Sequence, residues 1–186
     1  MHNIFVDFDN TIVESNKRVI EILNKKYGTA KTEKDLKDYN FNSIYPISVR
    51  EKFDIFESKD FFEGLEFKAG FMDFFNNYPH ELITIISKGT TPNLELKEKW
   101  IKENLGTDFT FIGLSLNDKK HKVSMKNAIH IEDNYRELNK KAKIRILYTD
   151  FNNYSWQQID PCDEVYRVND WNQIIEMINF YNKKEK

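Results

Sequence analysis

Asp7 and Asp9 stand two residues apart at the end of the apolar run Ile4-Phe5-Val6, and Asn10 and Thr11 follow them. Apolar residues that run straight into a polar stretch predict a short buried strand ending in a loop. In an extended chain residues i and i+2 share a face, so both carboxylates point into one small space. Two carboxylates held that close repel each other, and a pKa rises unless a cation neutralises them. A divalent cation with oxygen ligands relieves the repulsion, and Mg²⁺, which keeps several waters, suits so small a ligand set. The plainer alternative is that one aspartate caps a turn while the other is solvated.

The elements that must position this pair follow from the hydrophobic rhythm. Ser15 to Tyr27 predicts a helix with Val19, Ile20 and Leu23 on one stripe, Ser15 as its cap and Gly28 as its stop. The stretch 29–68 carries many charges and aromatics, with Pro46 among them, and predicts a small, mostly helical insertion whose rings supply its own core. Phe71, Phe74, Phe75 and Tyr78 mark a further helical stripe that Pro79 stops. Leu82 to Ile86 is almost wholly apolar, as a strand buried on both faces requires, and it runs into Ser87-Lys88-Gly89-Thr90. Thr91-Pro92 opens a helix with Leu96, Trp100, Ile101 and Leu105 facing inward and Gly106 beyond its end. Phe109–Ile112 reads as a strand and 117–122 as a lysine-rich loop. Ala128–Ile131 is a strand running into Glu132-Asp133, and Tyr135, Leu138 and Ala142 mark a helix. Ile144–Tyr148 and Val165–Val168 are further strands, and Asp170 caps a closing helix. Strands alternating with helices predict an α/β fold, a Rossmann-like parallel sheet between helical layers. Ligands of such sheets gather beyond the carboxyl ends of the strands, where strand order reverses. Three strand ends here carry suitable groups: Asp7 and Asp9, Ser87, and Glu132 with Asp133.

Composition narrows the function classes. A formal net charge of −2 argues against nucleic acid as a dedicated partner, because phosphate neutralisation needs a basic excess. The single cysteine, Cys162, allows no intrachain disulfide framework and no cysteine-rich zinc site, and packing is its expected role. The first strand starts almost at Met1, which leaves no room for a signal peptide, and no apolar run is long enough to span a bilayer. A cytoplasmic protein without membrane partners is the expectation.

Asp7-Phe8-Asp9-Asn10-Thr11 resembles the first motif, Asp-x-Asp-x-Thr, of the haloacid-dehalogenase-like phosphatases. Ser87 resembles the second motif, a lysine ahead of the fourth strand the third, and Glu132-Asp133 the fourth, over nearly the whole chain and in the right order. The insertion between the first two motifs is similar to the cap of the cytosolic 5'(3')-deoxyribonucleotidases, and so is the segment Tyr148–Tyr154. The resemblance implies a core of residues 1–14 and 69–186 and a helical cap of residues 15–68. It implies Asp7 as the nucleophile that forms an aspartyl-phosphate and Asp9 as the acid and base for the leaving alcohol and water. It implies Mg²⁺ held by Asp7, the Asp9 carbonyl and Asp133, with Glu132 beside or water-bridged to the metal. A haloacid dehalogenase proper lacks the second aspartate, so Asp9 speaks for phosphate esters. Ser87 and the backbone at Lys88-Gly89 would bind the phosphoryl group. Among Lys119, Lys120 and Lys122, spacing to the fourth motif best matches Lys122, with Lys120 second. Asn10 stands where many relatives have glycine, and its side chain can point away from the phosphate. His130, alternating with apolar residues on a strand, reads as a packed core histidine. The implied substrate is a small phosphate ester, a nucleoside 5'-monophosphate or deoxynucleotide, with Phe41, Tyr45 and Phe62 stacking on the base. Members of the resembled group can dimerise, and a homodimer is the corresponding expectation. A phosphatase acting on another small ester or on a polynucleotide end, and a non-catalytic phospho-ligand module, are the alternatives.

Overall fold

The computed structural model describes residues 1–149, 154–161 and 163–184. Six parallel strands form one sheet: β1 (Ile4–Asp7), β2 (Ile83–Gly89), β3 (Thr110–Ser115), β4 (Ile129–Glu132), β5 (Ile144–Tyr148) and β6 (Tyr166–Val168). Their order across the sheet is β3-β2-β1-β4-β5-β6. The chain builds outward in one direction from β1 to β3 and then returns to β1's other side for β4. The reversal sits beside β1, and crevices of this kind open at such a point. The α/β, Rossmann-like parallel sheet expected from the sequence is therefore what forms.

The central strands are apolar on both faces because both are covered. Ile4, Val6, Ile85, Ile131 and Ile146 belong to a large cluster with Leu23, Phe71, Phe74, Trp100, Ile101, Trp171 and Ile174. A smaller cluster gathers Ile86, Met125, Ala128 and Ala142, with Phe5, Ile112 and Leu114 packed against it. The α-helices are α1 (Ser15–Tyr27), α2 (Val49–Phe56), α3 (Lys59–Glu63), α4 (Phe71–Asn77), α5 (Thr91–Leu105) and α6 (Trp171–Lys184). Gly28 stops α1 in a left-handed conformation, φ 63°, which costs glycine no Cβ clash. No helix among the described residues is long and apolar enough to cross a membrane.

Three local expectations need correction. The helix foreseen through Tyr135, Leu138 and Ala142 shrinks to a single 3-10 turn, Tyr135–Glu137. Tertiary bonds take the chain instead: the Asn139 side chain donates to the carbonyls of Val123 (2.8 Å) and Lys120 (3.3 Å), and its backbone N–H donates to His130 Nδ1. β2 continues through Ser87 to Gly89, so Ser87 lies inside the strand, not beyond it. Ser15 is not the cap of α1; Glu14 holds that position and the Ser15 hydroxyl is used elsewhere. The segment Tyr148–Tyr154 lies largely, and Cys162 wholly, outside the described residues.

Candidate active site

Strand register assembles the site. Val6 lies abreast of Ile131, which sets Asp7 level with Glu132 and next to Asp133. Asp7 lies abreast of Ile86 on the other side, which puts Ser87 one residue further along. One carboxylate oxygen each from Asp7, Glu132 and Asp133 come within 4.8 Å of one another, and all three side chains are buried. They form the floor of a cleft of about 260 Å³ that Asp9, Asn10, Tyr39, Lys88, Leu116, Lys120, Asn134 and Glu137 complete.

The lysine brought to this floor is Lys120, not Lys122. Its ammonium bonds Asp7 and reaches Glu132 Oε2 at 2.6 Å. The Lys122 side chain is 70% exposed and pairs with Asp118 at the surface. The reason is local geometry. Lys120–Lys122 is a 3-10 turn, whose three residues per turn send positions 120 and 122 in different directions. Counting residues back from the fourth strand cannot resolve that rotation.

The electrostatics are those of crowded carboxylates. Burial, followed by the Asp7 charge, pushes Asp133 up to about 8, although a bond from Trp156 Nε1 (2.9 Å) opposes the rise. Burial also raises Asp7 against the pull of Lys120, and Glu132 goes well above the ordinary carboxylate range for the same cause. Lys120 is desolvated, yet Asp7 and Glu132 hold its ammonium more firmly protonated than a free lysine. Three carboxylates thus face one ammonium; without a cation, burial and mutual repulsion hold protons on Glu132 and Asp133 that a bound cation would displace. All are hard oxygen donors at the end of two adjacent strands, so the residues present fit a hard divalent cation.

Asp9 is held differently. Its Oδ1 accepts the Ser15 hydroxyl at 2.7 Å, and its Oδ2 accepts from the Lys97 ammonium. Ser87, fully buried, accepts from the same ammonium at 2.9 Å. Lys88 lines the cleft and bonds Glu137 Oε1 at 2.9 Å. Asn10 takes φ 55°, a left-handed conformation that asparagine tolerates better than most residues. Its side chain does not point away: it lines the cleft, accepts the Asn16 N–H at 2.8 Å and approaches Asp133 at 3.5 Å. His130 is wholly buried beside Glu132, as a packed histidine, and burial lowers its pKa well below that of a free imidazole.

The aromatic residues expected to meet substrate are elsewhere. Phe41 and Phe62 are core side chains, and Tyr45 is buried with its hydroxyl bonded to Asn24 Oδ1 at 2.8 Å. Tyr39 takes the position at the cleft. It is 50% exposed, packs edge-on against Trp156 (5.8 Å between centroids), and carries the Lys52 ammonium 4.4 Å from its ring centre. Trp156 and Lys97 belong to none of the motifs legible in the sequence. Lys97 had a signal: with Asn93, Trp100 and Ile101 it falls at i, i+4, i+7 and i+8, a charge on the buried stripe of α5.

Residues 1–185 match the model of the family "5' nucleotidase, deoxy (Pyrimidine), cytosolic type C protein". The chain belongs to this family. It is a haloacid-dehalogenase-like phosphoric monoester hydrolase. No curated protein sequence matches it. Among solved structures, a predicted phosphatase from Clostridium acetobutylicum is similar at 15% identity and TM-score 0.63, over 96% of this chain and 98% of that one. A haloacid-dehalogenase-like family hydrolase from Xanthomonas campestris is similar at 13% identity and TM-score 0.54, over 97% of each chain. A HAD-superfamily hydrolase, subfamily IA, from Geobacter sulfurreducens is similar at 12% identity and TM-score 0.53, over 94% and 97%. At such identities the likeness shows a shared fold.

Proposed function

We propose that this hydrolase is an Mg²⁺-dependent phosphomonoesterase acting on nucleoside or deoxynucleoside monophosphates through an aspartyl-phosphate. The observation that carries the reading is the meeting of Asp7, Asp133 and Lys120 at the reversal point of the sheet, with Asp9 at the rim of the same cleft. Asp7 Oδ attacks phosphorus, the new O–P bond replaces the ester P–O bond, and the ester oxygen leaves with a proton from Asp9. Water then attacks phosphorus on the phosphorylated Asp7, Asp9 takes its proton, the Asp7 O–P bond breaks, and inorganic phosphate departs from a regenerated carboxylate. Lys120 neutralises the phosphoryl charge as a point cation. Ser87 accepts from Lys97, so its own hydroxyl proton remains to donate to a phosphoryl oxygen. Asp7, Asp133 and the Asp9 carbonyl would hold Mg²⁺, with Glu132 alongside. When bound, the ion offsets the repulsion between a carboxylate nucleophile and an anionic ester.

Residues 15–68 act as the cap in this reading. The two chain crossings beneath that segment run side by side: the Glu14 N–H donates to Glu66 O (2.9 Å), the Lys68 N–H donates to Ile12 O (2.8 Å), and Lys68 pairs with Glu14. Tyr39 is the open aromatic surface against which a base can stack. The cleft volume suits a small ester better than a polymer end, and a cytosolic location accords with the family. The test is a panel of nucleotides and sugar phosphates assayed for phosphate release with and without chelator. Metal-dependent release from nucleotides that vanishes in Asp7→Asn is the expected result. Turnover of sugar phosphates alone would remove the nucleotide and keep the phosphatase.

A further inference from the structure

Lys97 enters the chemistry above only as the donor to Ser87, and its bond to Asp9 has no role there. It sits on the inward stripe of α5, only 1% exposed, and does not line the cleft. A lysine is almost never fully buried without partners, because its ammonium must be desolvated. Here all three N–H donors find acceptors: Asp9 Oδ2, Ser87 Oγ at 2.9 Å and the Lys88 carbonyl at 3.2 Å. Its stem passes the Phe8 ring, with the ammonium 5.4 Å from the ring centre, and Phe8 is itself packed edge-on against Trp100. The ammonium therefore has little freedom to move. Two of its three acceptors come from β2 and the third from the loop after β1, so one cation ties the two strand ends together.

We propose that Lys97 is a positioning residue that orients the Asp9 carboxyl for proton transfer to the leaving oxygen and fixes its distance from Ser87. This rests on the phosphomonoesterase reading. With Lys97 on Oδ2 and Ser15 on Oδ1, the plane of the Asp9 carboxyl is set from both sides. With its three N–H donors taken by Asp9, Ser87 and the Lys88 carbonyl, Lys97 acts through the groups it holds. Orientation of an acid matters most when the departing oxygen is a poor leaving group and least when it departs unaided.

The test compares kcat/KM for a nucleoside 5'-monophosphate, whose leaving group is an alkoxide, with that for p-nitrophenyl phosphate, whose leaving group is a stabilised phenolate. The ratio kcat/KM reports steps through loss of the leaving group and excludes dephosphorylation of Asp7. Lys97→Met and Lys97→Gln are expected to lose about 100-fold on the alkyl ester and less than about 5-fold on the aryl ester. In the Asp9→Asn background, Lys97→Met is expected to add less than about 3-fold, because the partner it orients is already disabled. Equal losses on both esters would make Lys97 a phosphate-binding or general structural group and overturn the proposal. So would full additivity with Asp9→Asn, unchanged activity, or failure of both neutral variants to fold. No turnover of either ester by the wild-type protein would be a different result: it fails the phosphomonoesterase reading and takes the positioning role with it.

Discussion

The cleft floor and the segment 15–68 above it both mix aromatics with charges, yet they use them in opposite ways. On the floor and just behind it the charges are buried and the geometry is tight: Lys120 between Asp7 and Glu132 on the floor, Lys97 between Asp9 and Ser87 behind it. In the segment most charges pair at the surface, as Lys59 does with Glu63 and Lys26 with Glu51, with Lys52 and Lys68 the buried exceptions, while Phe41, Tyr45, Phe61 and Phe62 are buried. Exposed pairs are screened and contribute little; buried ones hold a fixed arrangement because removing one partner leaves an uncompensated charge. In the proposed reaction the fixed geometry therefore belongs to the floor. The segment contributes packing and one ring left open, Tyr39.

Substitutions can break that division or sharpen it. Asp7→Asn is expected to give the largest effect, a loss of phosphate release of at least about 10³-fold with the fold retained, measured by product assay beside circular dichroism. Next, Lys120→Met should cost about 10²-fold or more in kcat, whereas Lys122→Met should stay within about 2-fold. Parallel losses in both lysine variants would show that the loop rearranges when substrate binds. In the inserted segment the effects should separate from chemistry. Phe41→Ala should destabilise by about 3–5 kcal/mol in denaturant titration while leaving turnover per folded molecule unchanged. Tyr39→Ala should leave stability nearly untouched and raise KM for nucleotides about 10-fold at constant kcat, as the loss of one stacked ring does.

A last effect concerns pH and acts on stability rather than on turnover. Asp133 moves from 3.8 to about 8 in the folded protein. Between those values the metal-free folded state keeps a proton that the unfolded chain has released, so stability falls as pH rises through that interval. Melting temperatures in chelator should decline from about pH 5 to about pH 8, and Asp133→Asn should flatten the decline. A melting temperature that climbs over the same range would mean that Asp133 is ionised without a cation.

Much of this was legible along the chain. The rhythm of apolar residues gives the six strands within a few positions, and the acidic ends of β1 and β4 announce the site. Asp7 and Asp9, close in sequence, line one cleft because strand periodicity alone relates them. Where the decision was rotational, the sequence was silent. Whether Lys120 or Lys122 faces inward depends on a 3-10 turn pinned by Asn139 from seventeen or more residues away, and the Lys120 carbonyl is one of its acceptors. Whether Tyr39 or Phe41 meets the cleft depends on Trp156, contributed from beyond β5.

By itself the amino-acid order determined the alternation of strand and helix and placed carboxylates at strand ends, since both follow from side-chain hydrophobicity and backbone period. Only the tertiary structure decided which lysines join those carboxylates and which ring stays open. Burying an ammonium is favourable only where several acceptors converge, and here the acceptors for Lys120 come from β1 and β4, and those for Lys97 from β2 and the loop after β1.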